Sequence, residues 1–404
     1  MSVTILYTPQ NYLPVNNEIV YVVDSTNKTE CSFEYIADVY VNGVFKLRMK
    51  KFPNLQGYGE FKINTILRNY ISYDLHNNQT GFLTNPNSII SYQVKFGESY
   101  DSSALCDAGA TLYLNLTTSS TQYAYNGVIQ ENQYEDYDYL DYVPATTSSK
   151  FLTNFPNYMY IGENDSYYLN FLNPNNGIVD FARITFYDSN LNYIDETTIA
   201  NSYSNPSSTE RRLLTIACGP SDIETVSPGY FTSNVAYYKV DLLDSLTEVS
   251  EPKWFQLDKR CTNNPTKRFL FLGRLSGMES YSFTLRNIRR VKISRSEYTR
   301  LSGSFTSSSP TNWTIGKEER GRSVIGVNAQ DEFEATSNWL SETEALWLEE
   351  LFTSPEVYIY DEIGNIIPII ITSTSFEEIT KKHKKMILYK ITYELASKTN
   401  IQIN

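Results

Sequence analysis

Residues 31–52 read CSFEYIADVYVNGVFKLRMKKF. Phe33, Tyr35, Ala37, Val39 and Val41 fall at every second position, the period that places side chains on one face of a β-strand. Asn42-Gly43 follows, the dipeptide whose tolerance of positive φ suits a two-residue hairpin turn. The return run alternates Phe45, Leu47 and Met49 with Lys46, Arg48 and Lys50. The pattern predicts a half-buried hairpin with the first three residues inward and the cations outward.

The same signals repeat along the chain. FKINTILRNYIS (61–72) sets Ile63, Ile66, Leu67 and Tyr70 at helical spacing and predicts one short helix. SIISYQVKFGESY (88–100) and TLYLNLTT (111–118) resume the strand pattern. VPATTSSKFLTNFPN (143–157) has linker chemistry, which sets a boundary near residue 148. Strands are expected again at 166–173, 179–188, 192–200 and 235–244 and near 254–258, with turns at Asp188-Ser189-Asn190 and Ser245. Such spacing suggests a sandwich. Asn263, Asn264 and Pro265 interrupt it and set the second boundary.

Beyond residue 266 the clearest helix signal appears in LSETEALWLEELFTSP (340–355). Ser341 and Glu344 form a capping box, Leu340 and Ala345 a hydrophobic staple, and Pro355 a stop. Leu348, Leu351 and Phe352 form its apolar stripe. Two strands then flank Gly364-Asn365, and a last pair runs from about Ile371 to Glu377 and from Ile387 to Leu395. Their connection carries Lys381, Lys382, His383, Lys384 and Lys385, an almost purely basic tip.

Composition narrows function. The 404 residues carry 34 basic and 46 acidic side chains, a net charge of −12, which argues against a general nucleic-acid or anionic-membrane binder. Aromatics reach 14% through 33 tyrosines, favouring strands and adhesive surfaces. His76 and His383 are the only histidines, and neither lies near a nucleophile signature; HExxH, P-loop, post-strand GxGxxG and EF-hand patterns are absent. Two carboxylates suited to a glycosidase could be drawn from so many acids, but no spacing selects a pair. Cys31, Cys106, Cys218 and Cys261 are too sparse for a disulfide scaffold and show no zinc spacing, so a reducing compartment is expected. Neither a signal-like leader nor a stretch of 18 apolar residues occurs, so no membrane insertion is expected.

Two charged segments are candidate interfaces. ENQYEDYDYLDY (131–142) holds five acids and no base, with Tyr134, Asp136, Tyr137 and Asp138 at its centre. It reads either as a solvated loop or as a docking strip for a basic partner. Between Lys267 and Arg300 nine bases, including Arg286, Arg289 and Arg290, face two acids. That window is an ordinary charged strand face, a contact for an acidic strip on a neighbouring copy, or a channel lining that touches the DNA backbone without reading sequence.

PQNYLPVNNEIVYVVDSTN, FEYIADVYVNG, KFPNLQGYGEFKINTILRNYIS, YQVKFGESY, FLFLGRLSGMESYSFTLR and WLSETEALWLEELFTSPEVYI together resemble motifs of virion proteins of tailed phages infecting Bacteroidetes, the crAss-like group included. The resemblance covers both ends and little of residues 105–260. It implies a structural tail component, a hub or ring subunit beneath the portal, with a tail-tube-like or hub-like C-terminal sandwich and flanking helix. It further implies rings closed by strand addition between subunits, and it supplies no catalytic residue.

The chain is therefore expected to be mainly β, with tandem β-sandwich-like domains at 1–148, 149–260 and 261–404, one short N-terminal helix and one capped C-terminal helix. Its expected function is that of a non-enzymatic tail protein of the virion, made in the bacterial host cytoplasm, without metal or cofactor. Its expected partners are copies of itself in a ring, other phage tail proteins and, in a channel, genomic DNA. The rival is a receptor- or carbohydrate-binding tail-fibre or adaptor protein, whose tyrosines would stack on sugars. The interface residues are expected among the lysine tip, the acidic strip and Arg286, Arg289 and Arg290.

Overall fold

The computed structural model describes residues 2–103, 105–175, 177–259, 265–306, 309–317, 321–361, 364–373 and 387–397. The chain is mainly β, as its alternation predicts. It divides into two compact units: unit 1 takes residues 1–260, 271–281 and 346–355, and unit 2 takes 261–270, 282–345 and 356–404.

Unit 1 begins with β1 (Val3–Tyr7), β2 (Leu13–Pro14), β3 (Val20–Ser25), β4 (Cys31–Val41), β5 (Val44–Lys51), β6 (Gly59–Lys62), helix α1 (Asn64–Leu67), β7 (Phe82–Thr84), β8 (Ile89–Asp101), β9 (Thr111–Thr118) and β10 (Gln122–Tyr125). The sheet β1-β3-β6 faces the larger sheet β2-β10-β8-β4-β5, with β9 also on β8. Tyr21 and Phe61 from the first sheet reach Phe96 of the second, with ring centroids 5.5 and 5.8 Å apart. Val23, Tyr35, Val39 and Val94 fill the same core.

The Asn42-Gly43 turn forms as expected: Val41 pairs with Val44, and φ is 49° at Asn42 and 76° at Gly43. The predicted facing of β5 is corrected, because Phe45 and Leu47 are each 46% exposed. The strand is the sheet's edge, and Arg48 turns back to clamp buried Asp38 at 2.7 and 2.8 Å. A second correction concerns the cysteines: Cys31 and Cys106 form a disulfide. Antiparallel pairing sets Cys31 opposite Asp101, which brings the loop after β8 beside the start of β4. Spacing along the sequence carries no trace of that register.

After α2 (Glu131–Tyr134) come β11 (Tyr158–Gly162), β12 (Tyr168–Leu172), β13 (Phe181–Tyr187), β14 (Tyr193–Ala200), β15 (Leu213–Ala217), α3 (Pro220–Val226), β16 (Tyr237–Asp244), β17 (Thr247–Glu248) and β18 (Lys253–Asp258). They form the sheet β11-β18-β16-β13-β14 and the sheet β12-β15-β7. In the latter, β7 pairs with β15, so residues on both sides of position 148 share one sheet. His76 lies in the loop between α1 and β7 and is buried, its ring nitrogens 2.8 Å from Gln79 Oε1 and 2.9 Å from Asn85 Oδ1. Many tyrosines are core rather than surface: Tyr12, Tyr21, Tyr35, Tyr92, Tyr125, Tyr167 and Tyr238 are fully buried.

β19 (Lys267–Leu272), β20 (Met278–Phe283) and α4 (Glu342–Thr353) contribute residues to each unit. Unit 2 further contains β21 (Asn287–Thr299), β22 (Ser304–Thr306), β23 (Ser309–Thr314), β24 (Arg322–Thr336), β25 (Val357–Tyr360), β26 (Ile366–Ile371) and β27 (Lys390–Leu395). Strands β25, β26, β27, β24 and β21 bond in that order. The capping box closes as predicted: the Ser341 amide donates to Glu344 Oε2 at 2.8 Å, and the Glu344 amide donates to Ser341 Oγ at 3.3 Å.

Candidate interaction surfaces

The sheet of unit 2 extends into a long two-stranded ribbon. β21 pairs with β24 from Asn287 opposite Ala335 to Thr299 opposite Arg322, whereas β27 supports β24 only over Phe333–Thr336. From Val291 outward, the backbone ladders of β21 and β24 among the described residues are with each other, and the Gln330 side chain also donates to Glu394 of β27. A two-stranded ribbon is marginal alone in water, so such an arm gains from a partner.

Register decides what the arm presents, because directly opposed residues share a face. One face carries Phe333, Val291, Ile293, Ala329 and Val327, with Arg289, Asp331 and Arg295. The other carries Arg290, Lys292, Ser294 and Ser296 opposite Glu332, Gln330, Asn328 and Gly326. The ribbon is amphipathic. Its apolar face continues the core face of unit 2: Phe333 stacks on Tyr393 at 5.3 Å, and Tyr393 meets Phe269 at 5.2 Å. Tyr393 and Phe269 are buried, but further out Val291 is 50% and Ile293 53% exposed.

Three of the nine bases in the basic window are paired within the ribbon itself. Arg289 pairs with Asp331 at 2.9 Å, Arg290 with Glu334 at 2.8 Å, and Lys292 with Glu332. Burial alone would raise the Glu334 carboxyl, but Lys390 and Arg290 outweigh it and hold the group below the usual range. The excess of positive charge counted along β21 is met across the ladder by acids of β24, residues far away in sequence. Arg286 is exposed beside this hairpin, and Arg268 lies buried against the Tyr360 ring.

The acidic strip is split between core and solvent. Tyr137 is buried, donating to the Tyr12 carbonyl at 2.7 Å and accepting from the Tyr125 hydroxyl at 3.3 Å. Burial pushes its phenol well above the usual range. Tyr134 donates to the Glu18 carbonyl at 2.8 Å, and its phenol is pushed up to about 12, mainly by burial. Asp136 and Asp138 are exposed and, with Asp141, Lys150, Asn154 and Arg274, line a half-open cleft of about 270 Å³ in unit 1. The two tyrosines fasten the strip to the fold, while its acids and Leu140 stay exposed. Lys381, Lys382, His383, Lys384 and Lys385 lie outside the described residues.

No family model matches the chain, and no curated protein matches it. Among solved structures, one similarity is to the tail of an empty GTA particle, determined by helical refinement in C6 symmetry. It is faint. The two share 12% identity at a TM-score of 0.19, over 33% of this chain and 94% of that one. No group of three or more metal-ligating side chains occurs among the described residues, and no helix among them is long and apolar enough to cross a membrane.

The apolar stripe of the ribbon is the surface that sequence reasoning missed. Its signal is present as alternation in Arg289–Arg295, where Val291 and Ile293 stand between cations. Counting the window's charge as a whole conceals that alternation.

Proposed function

We propose that this chain is a non-enzymatic structural component of a phage tail, assembling with copies of itself into a ring or hub near the portal and joining other tail proteins. The observation that carries this reading is the amphipathic β21–β24 ribbon, whose apolar face runs on from a buried core into solvent. Contiguous apolar surface of that kind marks a protein contact. The phage-virion motifs at both ends of the sequence support the setting, and the β-rich architecture suits it. Ion pairing across the ribbon directs the basic window toward its own strand partner more than toward DNA phosphates.

Mass photometry and negative-stain imaging of the purified full-length protein provide the test. Closed rings of uniform subunit number are expected. Persistent monomers at high concentration, or trimeric rods, would overturn the ring reading, the rods in favour of a receptor-binding fibre.

A further inference from the structure

Glu279 on β20 and Glu350 on α4 are each only 2% exposed, and neither forms an ion pair among the described residues. Buried carboxylates without a counter-charge are costly, so such a pair calls for another means of neutralisation. Both side chains belong to unit 1 and are held by donors from several elements. Thr153 Oγ1 donates to Glu279 Oε1 at 2.6 Å, and the Trp347 indole N–H donates to Glu279 Oε2. Asn154 Nδ2 donates to Glu350 Oε1 at 2.7 Å, and the Arg274 backbone N–H donates to Glu350 Oε2 at 2.8 Å. Phe155 and Phe271 enclose Trp347, with centroids at 5.4 and 5.7 Å. A side chain at Gly273 would place Cβ 2.8 Å from Glu279 Oε1, so the backbone closes on the carboxyl from that side too.

The charged groups around the pair do not balance it. Lys253 of β18 is buried but already held by Glu251 at 3.0 Å, by the Phe155 carbonyl at 3.0 Å and by Asn157 Oδ1 at 2.9 Å. Arg274 acts on Glu350 from the turn between β19 and β20. Fully ionised, the cluster would set Glu279, Glu350 and Glu251 against Lys253 and Arg274, leaving one negative charge in a dry site. Burial first, and the neighbouring Glu350 second, push the Glu279 carboxyl up to about 8, and burial also raises Glu350.

We propose that the Glu279–Glu350 pair is a proton-held latch: a proton kept on the pair seats residues 346–355 against β20 and the 151–155 loop, and its loss to alkaline solvent releases them. The sign follows from linkage. The seated state holds the proton up to about pH 8, whereas a released carboxyl holds it only to about 4.5. Seating is therefore complete below the lower value and weakens as pH rises through the interval. The opening equilibrium should grow about tenfold per pH unit there and level off above the upper value.

Hydrogen exchange on the full-length protein reads this directly. Corrected for chemical exchange, protection of the amides in 347–353 should fall about a hundredfold between about pH 6 and about pH 8. Glu279→Gln supplies a permanently neutral isostere whose carbonyl accepts from Trp347 and whose amide donates to Thr153. In that variant the same amides should lose less than about twofold. Glu350→Gln, which removes the neighbouring negative charge, should move the wild-type midpoint to lower pH, because the like charge that helps to raise Glu279 is gone and only burial still opposes its ionisation. A flat wild-type profile overturns the latch without requiring any variant to fold. An undiminished slope in Glu279→Gln overturns it as well.

Discussion

Replacing Ile293 with Lys tests the ribbon at the centre of its apolar face. Ile293 is 53% exposed and Val291 50%, so about half of each side chain remains to be covered by a neighbour. Full burial of such a side chain is worth about 1.5–3 kcal/mol, so half of it is worth about 0.8–1.5 kcal/mol per residue. Losing the Ile293 share alone should weaken each contact about four- to twelvefold, and an ammonium trapped in the interface adds to that cost. Ser294→Lys is the matched control, since Ser294 lies opposite Asn328 on the polar face and gains the same charge. Sedimentation velocity over a concentration series should show the Ile293→Lys assembly shifted to higher concentration and Ser294→Lys unchanged. Thermal melting of both variants should stay within about 1 kcal/mol of the parent, because the altered positions are half-open to water. Equal disruption by the two lysines would refute the facial argument, and normal assembly of Ile293→Lys would refute the interface.

Gly43→Val should destabilise unit 1 by about 1–3 kcal/mol in urea unfolding; no atom lies within 4 Å of the added Cβ, so the cost is that of positive φ. In the capped helix, Ser341→Ala should cost about 1 kcal/mol and Leu348→Ala about 2–5 kcal/mol, since Leu348 is fully buried; calorimetry that found the two equal would contradict the packing. Arg48→Ala strands the Asp38 carboxylate, whose side chain is 4% exposed, and should cost about 3 kcal/mol. A double-mutant cycle with Asp38→Asn measures the coupling, and a value near zero would show that Asp38 is solvated another way.

What the sequence disclosed was whatever one strand or one helix settles by itself. The period of two in residues 33–41, the positive-φ pair Asn42-Gly43 and the Ser341/Glu344 box depend on neighbours a few positions away, and each forms as its chemistry dictates. What the sequence left open or misplaced has a different cause. Whether Phe45 and Leu47 face inward depends on β5 being an edge strand, Cys31 meets Cys106 because β4 lies beside β8, and the cations of β21 are neutralised because β24 returns with acids in register. All three are properties of pairing between distant segments, which alternation within a strand cannot encode. The acidic strip shows the same limit: Tyr137 counts as surface in a polar run, yet its hydroxyl is held by Tyr12 and Tyr125, more than ten residues away at the nearest. Register also separates the two faces of the ribbon. Val291 and Ile293 become a surface only when Ala329 and Val327 arrive opposite Ile293 and Arg295 and Phe333 joins the same side beside Tyr393. The function proposed for the chain rests on that stripe, so the feature most relevant to assembly is one that the fold completes from two segments, of which β21 alone shows only the alternation of Val291 and Ile293.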